Sequence, residues 1–164
     1  MLWMLVACFE VERHEDLIVE RTQEMVDHES DAMALVSSLQ AKDLAAARKS
    51  AKALAREDKV DLLAPQQLML DQMRKGARAV ASADDIQAAG QAATLLTAHC
   101  ASCHTALEVP TVTPTEGAPL KQAWMALAWE DERLWSNALT AAPELGMASS
   151  WPERRQALAA HLVQ

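Results

Sequence analysis

Apolar residues recur along most of this chain at intervals of three and four, the spacing of one face of an α-helix. From Leu17 to Gln40 the stripe is carried by Met25, His28, Ala32, Leu35 and Leu39. Asp43 then stands where a capping residue is wanted, ahead of an Ala-rich and Lys/Arg-rich helix from Leu44 to about Arg56. Asp58 to Ala64 reads as a connection, and Pro65 opens a third helix where its missing N–H does no harm. That helix carries Leu68, Met69, Met73, Ala77 and Val80, and it stops at a turn over Ser82–Asp85. A fourth helix follows from Ile86 to about Cys103.

Beyond it the texture changes. Val109-Pro110-Thr111-Val112-Thr113-Pro114 is held extended by its prolines. After Gly117 and Pro119 a fifth helix is predicted to about Ala141, with Trp124, Met125, Leu127, Ala128, Trp129, Leu134 and Trp135 along it. A last helix, from Pro152 to about Leu162, closes the chain. The expected fold is therefore all-α: four helices in 21–106, then a loop and two C-terminal helices in 107–164 of the same domain.

Composition supports this. The chain has 164 residues, enough for one domain with a real core, and only four glycines and 4% aromatics. Its net charge of −8 argues against nucleic acid as a partner, and it suits docking on a basic protein surface or plain solubility. No run of eighteen apolar residues is present, so no transmembrane helix is predicted.

The chemistry lies in one segment, Cys100-Ala101-Ser102-Cys103-His104. Cys-x-x-Cys-His is the attachment motif of a c-type haem. Residues three apart share a helix face, so Cys100 and Cys103 reach the two vinyl groups on one haem edge, and His104 follows as the proximal iron ligand. Zinc would want a second Cys/His pair at ligand spacing, and a thioredoxin-like dithiol would want strands around it. The cofactor expected is one covalent haem c.

A motif of this kind at the end of a fourth helix resembles the four-helix cytochromes of the cytochrome c-prime type, over about Leu17–Ala106. The resemblance implies that the first helix covers the distal face of the haem. Met25 and His28 lie one turn apart on the inward stripe of that helix, and either is a candidate sixth ligand. Small mitochondrial-type cytochromes differ, with the motif near the N-terminus and a Met ligand downstream; on that pattern Met125 or Met147 would take the place. Met33 is a further methionine to weigh. A filled sixth position gives an electron carrier working with a redox partner protein, and an open one gives a binder or sensor of diatomic gas. No catalytic set is legible, so an enzyme is not expected. Assembly is left open, a homodimer included.

Other polar residues draw bland readings. Arg74, Lys75 and Arg78 read as a solvated helix face, with neutralisation of haem propionates as the functional alternative. His99 reads as surface, and His14 and His161 have no spacing argument. Trp124, Trp129 and Trp135 read as core, or as cover for the haem edge.

The third cysteine, Cys8, ends Leu5-Val6-Ala7-Cys8, which resembles the lipobox of bacterial lipoproteins. Residues 1–8 would then be the end of a lipoprotein signal and 9–20 a tether, with membrane association through a lipid on Cys8. Haem attachment to this motif occurs outside the bacterial cytoplasm, so the expected location is the periplasm or the outer membrane. Cys8→Ala is expected to release the protein from membranes into the periplasmic fraction. Native protein found soluble and still starting at Met1 would contradict lipidation.

Overall fold

The computed structural model describes residues 27–56, 64–109, 118–146 and 148–164. The lipobox with Cys8, the tether with His14, the candidate ligand Met25, most of the proline-rich segment and Met147 lie outside the described residues. Among those described, all regular structure is helical: α1 over 27–40, α2 Leu44–Leu54, α3 Ala64–Ala81, α4 Ile86–Ala106, α5 Pro119–Trp129, α6 Glu132–Ala141 and α7 Trp151–Leu162, with one 3-10 turn at Pro143–Leu145.

The helix starts are written in short polar side chains. Asp43, Asp85 and Asp131 each accept from a backbone N–H of the first turn, at Ala46 (2.9 Å), Ala88 (2.7 Å) and Leu134 (2.9 Å). Ser150 and Glu153 form a reciprocal capping box at the start of α7. The stops are less usual. Lys42, Glu108 and Glu130 adopt left-handed backbone (φ 56°, 51° and 48°) where glycine is the common choice. At each, the next residue's N–H reaches back five residues: Asp43 to Ser38 O, Val109 to His104 O and Asp131 to Ala126 O, at 2.9–3.0 Å. Glycine was therefore no guide to where these helices end.

One of these stops corrects the predicted fifth helix. It is not continuous to Ala141, because Glu130 turns left-handed and Asp131 caps a new helix. The C-terminal part thus holds three helices rather than two. The reason is local: Glu130 leaves helical φ/ψ, and the Asp131 carboxylate takes the Leu134 N–H that a continuing helix would have bonded.

The core sits around α4, which packs against α2, α3, α5 and α7. Its buried positions are small: Ala89, Gly90, Ala93, Thr94, Thr97 and Ala101 accompany Leu96. Small side chains on several faces let neighbours approach closely. A Cβ on Gly76 of α3 would stand 2.9 Å from Leu96 Cδ1 and 3.1 Å from His99 Cδ2. A Cβ on Gly90 of α4 would stand 2.9 Å from Val163 Cγ1. Helix α5 is buried on every face from Ala123 to Ala128, held between α4, α6 and α7.

Helices α1 and α2 form a hairpin, with Arg56 Nη2 3.5 Å from Asp31 Oδ2. The Arg48 guanidinium donates to the Ala83 carbonyl, so the α1–α2 turn and the α3–α4 turn lie at one end. The start of α1 and the end of α4 therefore both point toward the other end.

Gly90→Leu is expected to wedge α4 from the chain end after α7 and to cost about 1–3 kcal/mol. Gln91→Leu, at the exposed neighbouring position, should stay within about 0.5 kcal/mol. Urea unfolding of the two variants checks this; equal losses would contradict the close approach.

Candidate functional site

Cys100, Cys103 and His104 occupy the last turns of α4. The helix continues to Ala106 instead of stopping at the motif, so all three residues are held at fixed helical spacing. Cys100 keeps some contact with solvent but is closely surrounded, and burial, with Cys103 beside it, pushes its thiol up to about 12. Burial raises the Cys103 thiol as well. Both are uncharged thiols at neutral pH.

His104 is anchored from a distant part of the chain. Its Nδ1 lies 2.9 Å from the carbonyl oxygen of Ala128. The cap at Glu130 uses the Ala126 carbonyl, and the helix ends too soon for the Ala128 carbonyl to find an intrahelical donor. The imidazole supplies that donor. This contact assigns the proton to Nδ1 and leaves Nε2 bare on the far side of the ring. The Trp129 ring lies against the imidazole, with centroids 4.0 Å apart and planes at 30°. Burial lowers the His104 pKa most; the bond to the Ala128 carbonyl acts in the opposite direction, and the charge of His28 lowers it further.

A second layer holds this corner. Arg155 of α7 is buried; its Nη2 donates to Glu130 Oε1 at 2.7 Å and its Nε to Thr97 Oγ1 at 3.0 Å. Thr97 donates in turn to the Thr94 carbonyl at 2.6 Å. Arg155 thus ties the residue that ends α5 to the middle of α4. Next to it, Arg154 pairs with Glu132 at 2.8 Å and lies over the rings of Trp135 and Trp151.

The structure brings together Cys100, Cys103 and His104, and it sets His28, half-buried on α1, near enough for its charge to be felt at His104. Met125 is core within α5, and Met33 packs at the edge of the core. Trp124 and Trp135 are core, while Trp129 is the tryptophan at the site. Two bland readings are corrected. Arg74 is buried, 3% exposed, with Asp71 at 3.7 Å; only Lys75 and Arg78 of that cluster face solvent. The cause is helical phase, since Arg74 follows Met73 and precedes Ala77 on the inward side of α3. His99 is half-buried against Gly76 rather than on the open surface. Sequence reasoning missed Ala128, Thr97 and Arg155 as supports. For Ala128 a signal existed: Asp131 in capping position marks where α5 must end and its carbonyls open.

Among the described residues, no group of three or more His, Cys, Asp or Glu side chains is gathered that could hold a bare metal ion. A porphyrin brings four ligands of its own, so a haem asks the protein for one or two. The residues present fit that group. Two thiols stand one turn apart, one imidazole offers Nε2, and the buried Trp129 Nε1 has no hydrogen-bond acceptor among the described residues. No family model, no curated protein and no solved structure matches the chain.

Burial holds His99 and His104 below the ordinary imidazole value of 6.5, with Lys75 and Arg155 adding to the effect at His99. The unfolded chain therefore takes up protons first as pH falls through 6.5. The haem-free protein should lose stability from about pH 7 downward, until the folded-state values are passed. Denaturant unfolding across that range checks this, and His99→Gln and His104→Gln should each flatten the profile. A stability that rises on acidification through this range would contradict it.

Proposed function

We propose that this chain is an exported monohaem c-type cytochrome that passes single electrons between protein partners. The carrying observation is the Cys100–His104 motif at the end of α4, with His104 Nδ1 tied to the Ala128 carbonyl so that Nε2 is offered. A metal-bound histidine commonly donates its other N–H to a carbonyl or carboxylate, which fixes tautomer and ring orientation. On this reading α1–α4 form a haem-holding four-helix bundle of the cytochrome c-prime type, and α5–α7 are an extension that grips the proximal ligand.

Each residue then has a task. The Cys100 and Cys103 thiols would hold the haem by adding across its two vinyl groups, sulfur to one carbon and hydrogen to the other, an addition that loses no atom and needs no oxidant. His104 would offer Nε2 to the iron. The Ala128 carbonyl accepts the hydrogen bond from the Nδ1 proton, and the carbonyl end of α5 makes the imidazole more basic. Trp129 restricts rotation of the ring and excludes water from it, and its indole N–H suits an acceptor such as a haem carboxylate. When bound, haem c supplies a one-electron iron couple whose potential responds to ligand basicity and burial. The lipobox-like Leu5-Val6-Ala7-Cys8 supports export, and the acidic balance of the chain supports docking on a basic partner surface.

Produced with a functioning haem-attachment system, the protein should show an intact mass raised by one whole haem. The haem should resist acid–acetone extraction. The Cys100→Ser/Cys103→Ser double variant should lose it on extraction. An unmodified mass with both thiols open to alkylation would contradict the proposal.

A further inference from the structure

We infer that His28 of α1 is the second axial ligand, so that the haem is held between two histidines, His28 and His104. The inference rests on the covalent-haem reading above and adds the identity of the sixth ligand.

The first argument is placement. The Asp31–Arg56 contact closes the α1–α2 hairpin, and the Gly76 contacts with Leu96 and His99 fix α3 against α4 in antiparallel register. Together with the Arg48–Ala83 bond, they put residues 27–31 of α1 at the same end as Cys103 and His104.

The second is direction. On a helix of 3.6 residues per turn, His28 lies within about 20° of both Leu35 and Leu39. Those two residues are fully buried, so the face that carries His28 points inward. His28 itself is half-buried.

The third is the side of the imidazole that remains. Ala128 and Trp129 of α5 hold the Nδ1 edge of His104. The two ring nitrogens diverge, so Nε2 faces away from α5. A group bound at Nε2 has α5 behind it, and a second ligand must come from another helix. A histidine fits this position chemically. An imidazole nitrogen is a common ligand of haem iron.

The test uses haem-loaded protein, with covalent attachment checked by intact mass before any spectrum is read. Absence of the haem mass would overturn the covalent-haem reading on which this inference rests, and the inference with it. With haem attached, the wild-type ferric spectrum should be low-spin and without the near-red band of a methionine-sulfur ligand. His28→Ala should keep the haem mass and the helical circular dichroism, turn high-spin, and bind carbon monoxide in the ferrous state where the wild type does not. Added imidazole should restore the low-spin spectrum. His28→Met gives a second reading that does not depend on an open site: the methionine-sulfur band should appear. A wild-type protein that is already high-spin would overturn the inference, as would a methionine-sulfur band in the wild type. So would a low-spin spectrum that both His28 variants leave unchanged.

Discussion

The organisation of this molecule turns on one hydrogen bond, from the imidazole of His104 to the carbonyl of Ala128. It joins the end of α4 to the end of α5 across a sequence separation of 24 residues. A helix leaves its last carbonyls unbonded, and burying one without a donor would cost about 1–3 kcal/mol. Here that obligation is discharged by a histidine side chain. The same contact settles which nitrogen of His104 is left to act. A structural need of α5 and a chemical need of His104 are met by one pair of atoms.

Much else serves to keep the two helix ends in register. Helix α4 can sit among four neighbours because its buried faces are mostly alanine, glycine and threonine. Close approach at Gly76 and Gly90 limits sliding on two sides. On the third side Arg155 crosses from α7 to Thr97 of α4 and to Glu130, the residue whose left-handed backbone ends α5. The guanidinium is buried, with hydroxyl and carboxylate acceptors for its N–H groups. Displacing α7 would therefore be felt at Glu130, and through Glu130 at the neighbouring Ala128 and Trp129.

The parts legible in the sequence were those with local causes. Asp43 and Asp85 announced helix starts, the three- and four-residue stripes announced inward faces, and Cys100-x-x-Cys103-His104 announced its own geometry. What stayed hidden depended on backbone choices without a sequence flag or on distant contacts. Lys42, Glu108 and Glu130 take the left-handed conformation without being glycine. The break between α5 and α6 therefore carries no glycine flag, although Asp131 marks it. Ala128 has no side chain that could advertise a role, because it acts through its carbonyl. Arg74 carries a charge that suits a surface, yet helical phase turns it inward. Arg155 could be recognised only once α7 was seen lying against Thr97.

The central claim is that His104, held at Nδ1 by the Ala128 carbonyl, gives its Nε2 to a haem iron. Nitrogen-15 NMR of histidine-labelled, haem-loaded protein in the reduced state tests it most directly. The account predicts a slowly exchanging proton on His104 Nδ1, and an Nε2 that carries no proton and does not titrate. A proton on Nε2, or a His104 that titrates as a free imidazole, would contradict it.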